Sequence, residues 1–122
     1  MSYEFKLDIG NEIIEVEYIG IVNFSERMVA IREGVAILQD REYPRILVNL
    51  VGAKMDITNS EKVLLANYIS EQHALIKAKT AFLIRCEQTA KKEVDKAVLR
   101  TEDFVSQVFF SRMKAIGWLS DS

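Results

Sequence analysis

Two hydroxyl side chains, Thr58 and Ser60, stand just before an apolar helical pattern and could carry phosphate chemistry. A helix N-terminus presents free backbone amides and the positive end of the helix dipole, and both favour an anion. One interpretation is therefore a phosphorylated or phosphate-contacting hydroxyl at a surface that meets a partner. The candidates for that surface are Asp56, Thr58, Asn59 and Ser60. The alternative is structural, because Thr58 and Glu61 have the spacing of a capping box, which accounts for Thr58 without a ligand.

The sequence contains a single histidine, His73, and a single cysteine, Cys86, so neither residue type can build a metal site. His73 lies late in a predicted helix and is expected on the surface. Cys86 follows a predicted buried strand beside Arg85, and adjacent strand residues point to opposite faces, so we expect an unreactive, partly buried thiol. A lone cysteine also excludes an internal disulfide, which fits a reducing compartment. We predict no metal and no cofactor.

Two carboxylates, Glu15 and Glu17, fall on one face of a predicted strand. Glycosidase-type catalysis uses such a pair, but it needs a cleft that perturbs the two acids. The neighbouring apolar residues Ile14 and Val16 occupy the other face, so we expect the carboxylates to face solvent. No glycine-rich nucleotide loop, Walker loop or nucleophile elbow occurs. The sequence therefore indicates no catalytic residue, and we expect a protein that is not an enzyme.

Aromatic residues are concentrated near the C-terminus. They are Phe104, Phe109, Phe110 and Trp118. A final helix must bury one of its faces, so most of this set is expected in the core. The alternative is that some of it lines an apolar groove beneath that helix, which could hold a lipid or another apolar small molecule.

The composition is that of one folded domain spanning residues 1–122, with 49% hydrophobic and 28% charged residues. The net charge of −2 gives no general attraction to a phosphate backbone, so no nucleic-acid partner is expected. No apolar run approaches the roughly 20 residues that span a bilayer. The N-terminus has no basic region followed by an apolar stretch, and we expect a cytoplasmic protein.

The first part of the chain predicts a hairpin followed by a helix. Apolar and polar residues alternate from Tyr3 to Ile9 and again around Val16, with Gly10-Asn11 as a two-residue turn between them. Ser25 is placed to cap a helix over residues 26–41. The core stripe predicted for that helix is Met28, Ile31, Val35 and Leu38.

The remaining chain alternates strands and helices. Arg45–Val51 is a nearly continuous apolar run, typical of a strand buried on both faces. A helix is predicted from Thr58 to Lys77, a strand over 80–85, a surface helix over 89–101 and a strand over 105–110. The apolar side of the 58–77 helix is predicted to be Leu64, Leu65, Tyr68, Ile69, Leu75 and Ile76.

Ser111 is placed to cap a last short helix, whose apolar residues are Met113, Ile116, Trp118 and Leu119. This order of elements predicts an α/β fold. The expected sheet is mixed, with about five strands, an N-terminal hairpin and helices packed on the sheet.

Two stretches of the sequence resemble a known class of domains. The segment Val108–Leu119 closes with Ala115-x-x-Trp118-Leu119, and the strand Ile46–Leu50 is followed by a loop and a helix that starts near Thr58. With the order of elements, they resemble the STAS class, named for sulfate transporters and anti-sigma factor antagonists. The likeness is greatest to its SpoIIAA-like branch of small stand-alone bacterial domains.

The resemblance implies a non-enzymatic, regulatory module that binds a protein partner, with a homodimer as one arrangement. In signalling members, a serine at the start of the helix after the strand is phosphorylated, within an Asp-Ser sequence followed by a small residue or glycine. The corresponding stretch here, Asp56–Lys62, has neither the Asp-Ser pair nor the glycine, so we expect no working phospho-switch. The alternative function is a binder or sensor of an apolar small molecule or lipid, which for some members of the branch implies membrane association.

Overall fold

The computed structural model describes residues 2–41, 44–85 and 105–121. Within these ranges the strands are β1 (Tyr3–Asp8), β2 (Ile13–Asn23), β3 (Arg45–Asp56), β4 (Lys79–Leu83) and β5 (Ser106–Phe109). The helices in the same ranges are α1 (Phe24–Arg41), α2 (Asn59–Ser70), α3 (His73–Lys77) and α4 (Arg112–Ser120). The predicted surface helix over 89–101, Cys86 and Phe104 lie outside the described residues.

The strands form one mixed sheet in the order β1-β2-β3-β4-β5. β1 is antiparallel to β2, and β2, β3, β4 and β5 are mutually parallel. Parallel neighbours must be joined by crossovers, which is how alternating strands and helices fold. The predicted α/β class, with a five-stranded mixed sheet that starts from a hairpin, is confirmed.

The turn of the hairpin differs from the prediction. Asp8 pairs with Ile13, so four residues connect the strands instead of Gly10-Asn11 alone. The Asp8 carboxylate accepts hydrogen bonds from the Asn11 backbone N–H at 3.1 Å and from its side-chain amide at 2.9 Å. An aspartate that closes a turn with its own side chain supports a longer loop than the glycine signal indicates.

Helix α1 begins at Phe24, and Ser25 does not cap it. Asn23 is the cap: its side-chain oxygen accepts from the Glu26 N–H at 2.9 Å, and the Glu26 carboxylate accepts from the Asn23 N–H at 3.4 Å. This reciprocal pair satisfies two N–H groups, so the box at Asn23 is favoured over the single serine. The predicted core stripe of α1 is confirmed, with Ile31, Val35 and Leu38 buried and Met28 partly buried.

The helix predicted over 58–77 is interrupted, because Gln72 has an extended backbone between α2 and α3. Leu65 and Ile69 face the core as predicted, whereas Leu64 is 54% exposed. Successive helical residues are rotated by about 100°, so Leu64 turns away when Leu65 points inward. Its predicted place on the buried side was wrong.

The sheet carries a core on each face. The larger core joins α1, α2 and α3 to the sheet and includes Tyr18, Leu65 and Phe82; we call this side the three-helix face. The smaller core lies under α4, on the α4 face, and its buried members are Ile13, Leu47, Ala81, Leu83, Ala115 and Leu119. β3 contributes to both cores, which confirms that its apolar run is buried on both sides.

Candidate functional site

The predicted capping box at the start of α2 is confirmed. The Thr58 hydroxyl oxygen accepts from the Glu61 N–H at 3.1 Å, and the Glu61 carboxylate accepts from the Thr58 N–H at 2.9 Å. The preceding Ile57 is 1% exposed and anchors the turn in the core. The start of the helix is therefore satisfied by its own residues.

The four predicted contact residues come together where β3 leads into α2, and all of them are exposed. They are Asp56, Thr58, Asn59 and Ser60. The next turn of α2 adds two apolar side chains, Val63 at 59% and Leu64 at 54% exposed. We call these six residues the α2 junction. A polar turn followed by two exposed apolar residues on one helix is suited to contact with another protein surface.

Exposed apolar residues also lie at the end of the neighbouring strand. Ile19 and Ile21 of β2 are 53% and 67% exposed. In the register of β2 and β3, Ile21 is opposite Lys54, and Asn23 is opposite Asp56. The carboxyl ends of these two strands therefore present apolar and charged groups together at the edge of the domain that holds the α2 junction.

A second polar cluster surrounds Glu15, a residue that was expected to face solvent. Glu15 is only 5% exposed, so the prediction that it faces solvent was wrong. Arg112 of α4 donates from both terminal nitrogens to the two Glu15 carboxylate oxygens, one of them at 3.0 Å. The Asn49 side-chain amide donates to the same carboxylate at 3.2 Å. The strand face opposite the three-helix face is covered by α4, which brings Arg112 onto the carboxylate.

The charges of this cluster decide its chemistry. Burial by itself would raise the pKa of Glu15, but the hydrogen bonds from Arg112 and Asn49 and the Arg112 charge outweigh it and hold the pKa below its ordinary value. The same pair raises the pKa of Arg112. Glu15 is thus ionised and engaged on both oxygens, which suits it to holding α4 and not to accepting a proton from a substrate.

Sequence reasoning missed the cluster, although one signal pointed to it. Asn49 interrupts the apolar run of β3, a strand predicted to be buried on both faces. A buried amide needs hydrogen-bond partners. In the structure, its oxygen accepts from the Val51 N–H at 3.1 Å and its amide reaches Glu15. A polar residue in a doubly buried strand thus predicts a polar partner on the adjacent strand.

The C-terminal aromatic residues are divided between core and surface. Phe109 and Trp118 pack together with ring centroids 5.6 Å apart, and both lie against the small core. Phe110 is 56% exposed. Met113, predicted in the buried stripe of α4, is 83% exposed because α4 turns Ala115 and Leu119 inward. The groove predicted beneath this helix stays a prediction.

A cavity of about 60 Å³ lies on the opposite side of the sheet, between α1 and the strands. Its walls are mostly apolar and include Phe5, Leu75 and Phe82. Thr80 also lines the cavity and is 2% exposed. Its hydroxyl has no hydrogen-bond partner among the described residues. A buried hydroxyl without a partner is unfavourable by about 1–3 kcal/mol.

Other features with potential chemistry are sparse in the described part of the chain. His73 is exposed, as predicted, and lines a cleft with Lys77. Among residues 2–41, 44–85 and 105–121, no three His, Cys, Asp or Glu side chains cluster closely enough to hold a metal ion. None of the described helices has the length and apolarity needed to cross a membrane.

Comparisons with known proteins bear on the fold. A scan against protein-family models finds no match, and a search of curated proteins finds none. The unphosphorylated form of the anti-sigma factor antagonist SpoIIAA aligns with a TM-score of 0.60 and 14% identity, over 98% of this chain and 99% of that one. A DUF3478-family protein with a SpoIIAA-like fold, from Shewanella loihica PV-4, aligns with a TM-score of 0.58 and 9% identity, over 96% and 91% of the two chains. The chain has a STAS-like fold of the SpoIIAA type, as its sequence predicts.

Proposed function

We propose that this chain is a non-enzymatic protein-interaction module of the STAS type, and that it contacts its partner through the α2 junction. The observation that carries the proposal is the exposure of Val63 and Leu64 directly after a polar, self-capped turn. Exposed apolar neighbours on a helix are a feature of many protein contacts. The fold supports it, since SpoIIAA is described as an anti-sigma factor antagonist.

The partner is expected to bind without control by phosphorylation. The Thr58 hydroxyl is used as a helix cap, and the Glu61 carboxylate closes the same turn. A phosphate on Thr58 or Ser60 would bring a charge of about −2 next to that carboxylate. The resulting repulsion opposes the favourable effect of the helix dipole.

Substitution of the exposed residues Val63 and Leu64 tests the proposed surface. The double variant Val63→Ser, Leu64→Ser should lose a protein that the wild-type chain retains from a lysate of its own cells. Met113→Ser on α4 is the matched control, because Met113 is also exposed and apolar but lies on another element. Equal retention of the same protein by all three chains would contradict the proposal. Ser60→Ala should leave retention unchanged if no phospho-switch operates, and a loss with this variant would contradict that part.

A second candidate function is binding of a compact, mainly apolar molecule in the cavity beneath α1. The unpaired Thr80 hydroxyl favours it, because a ligand with one hydrogen-bonding group would satisfy that hydroxyl while its apolar part fills the cavity. Native mass spectrometry of freshly purified protein should then show a retained mass that Thr80→Val removes. If the cavity has no ligand, no mass is retained, and Thr80→Val raises the free energy of unfolding by about 1 kcal/mol because it removes an unpaired buried group.

A further inference from the structure

Strand β1 is an edge of the sheet, and no other described strand pairs with its outer side. The Ile19 N–H donates to the Ser2 carbonyl at 2.7 Å, which makes Ser2 and Ile19 a hydrogen-bonded pair of the β1–β2 ladder. In an antiparallel ladder such pairs recur at every second residue. Glu4, Lys6 and Asp8 therefore bond to β2, and the backbone groups of the intervening Tyr3, Phe5 and Leu7 point outward.

The charges on this edge are complementary to themselves. The polar residues of β1 alternate as Glu4, Lys6 and Asp8 on one face of the strand. If a second β1 runs antiparallel beside the first with Phe5 opposite Phe5, Glu4 of each copy lies opposite Lys6 of the other. These are the close, non-hydrogen-bonded pairs of the new ladder, and opposite charges there are favourable.

Other registers are less favourable. Centring the pair on Glu4 sets Glu4 against Glu4, and centring it on Lys6 sets Lys6 against Lys6. Centring it on Leu7 keeps opposite charges together but shortens the overlap, because the chain leaves the strand after Asp8. Charged residues on an edge strand usually prevent pairing with other chains. Here the arrangement opposes the registers centred on Glu4 and Lys6, and it gives the most attractive pairs in the register centred on Phe5.

From this arrangement we infer that a second copy of the chain pairs with the first through β1, antiparallel and centred on Phe5. The two sheets join into one, and the backbone groups of Tyr3, Phe5 and Leu7 exchange hydrogen bonds with those of the partner. Leu7 is 39% exposed and gains cover from the other copy. The Lys6 ammonium, which donates to Glu17 at 2.9 Å, then lies between Glu17 and the partner's Glu4. The inference is independent of the proposed function.

Charge reversal separates this dimer from a general loss of folding. Within one chain Glu4 lies opposite Glu17 and on the same face as Lys6, so Glu4→Lys loses an attraction to Lys6 and gains one to Glu17, and the monomer should stay folded. In the dimer the same change sets the introduced ammonium of each copy against Lys6 of the other, so two attractive pairs become repulsive. Sedimentation equilibrium should therefore show a dimer for the wild-type chain and a roughly tenfold larger dissociation constant for Glu4→Lys.

Mixing two variants gives the most decisive test of the pairing. Lys6→Glu also repels itself, but a chain with Glu4→Lys and a chain with Lys6→Glu match at both charge pairs and should form a heterodimer. Thermal unfolding checks that both fold. In amide exchange, Tyr3, Phe5 and Leu7 should become more protected as protein concentration rises, while Glu4 and Lys6 should not.

Several results would overturn the inference. They are a wild-type chain that stays monomeric at about 1 mM, a dimer that Glu4→Lys leaves unchanged, and two folded variants that do not associate when mixed. If Lys6→Glu fails to fold, the effect of Glu4→Lys and the alternating exchange pattern decide the matter.

Discussion

The three-helix face and the α4 face of the same sheet are stabilised by different forces. Among the described residues, the buried core of the three-helix face has twenty members, nearly all apolar, whereas that of the α4 face has six. The hydrophobic effect scales with the apolar area removed from water, so it is ample on the first face and small on the second. On the α4 face, charged side chains add hydrogen bonds to this smaller apolar core.

These charged groups lie at both ends of α4. At its first turn Arg112 binds Glu15 of β2. At its last turn Arg45 donates to the Leu119 carbonyl at 2.6 Å, and Lys79 donates to the carbonyls of Trp118 and Asp121 at 2.6 and 2.8 Å. Cations are favourable at a helix C-terminus, where carbonyls lack partners. A cation such as Arg112 at the N-terminus of a helix is unfavourable, and the Glu15 carboxylate compensates for its charge.

The largest expected effect compares the two faces on a single strand. Phe82 and Leu83 are neighbours on β4, and each is buried in a different core. Phe82→Ala should lower the free energy of unfolding by about 4 kcal/mol, and Leu83→Ala by about 2–3 kcal/mol. Urea titration of both variants measures the difference. A larger loss for Leu83→Ala would show that the α4 face has the greater share of apolar stabilisation.

Removing the charge of Glu15 tests directly whether its ion pair with Arg112 stabilises the fold. Glu15→Gln should cost about 2 kcal/mol at neutral pH, because Arg112 then loses a charged partner. A lowered folded-state pKa means that the stabilisation by Glu15 is complete above the unfolded value of about 4.3 and is lost as the pH falls through the folded value. The gap between wild type and variant should therefore shrink below pH 4.3. A gap independent of pH would show that the ion pair is not its source.

The lysine at the other end of α4 should matter less. The Lys79 ammonium lies 4.4 Å from the centre of the Trp118 ring as well as on two carbonyls. Lys79→Met keeps most of the aliphatic stem and removes the charge, so about 1 kcal/mol should be lost. Trp118 is the only tryptophan, so its fluorescence should change with the variant. An unchanged spectrum and stability would place Lys79 in solvent.

The smallest difference concerns the two caps. Thr58 of α2 takes part in a reciprocal box, whereas Ser111 accepts from Lys114 at 3.4 Å without a return bond. Thr58→Ala should cost about 1 kcal/mol and Ser111→Ala about half as much. Thermal unfolding of both variants gives the comparison. The reverse order would mean that the single bond of Ser111 stabilises its helix more than the reciprocal box of Thr58 does.

The elements of the three-helix face were the more predictable from sequence. Period-two alternation in β1 and β2, the unbroken run of β3 and the capping box at Thr58 are local signals, and all of them were confirmed. The failures there were also local. Asp8 and Asn23 used their side chains to set a turn and a helix start that glycine and serine signals placed elsewhere.

The α4 face was less predictable because its contacts are distant in sequence. Alternation correctly placed Glu15 on the side away from Ile14, but it could not say what covers that side. The answer comes from Arg112, which is 97 residues later. Similarly, Met113 and Trp118 share a helical pattern, but only the packing of α4 on the small core, which includes Ala81 and Leu83, decides which of them is partly buried.

The ionised, paired state of Glu15 is the claim on which the contrast between the faces depends. The most direct test is a carbon-13 NMR titration of the Glu15 carboxyl in the folded protein. A pKa below about 4.3, moved upward by Arg112→Met, is the predicted result. A pKa above that value in the wild-type protein would mean that burial dominates, and that no ion pair holds α4 to the sheet.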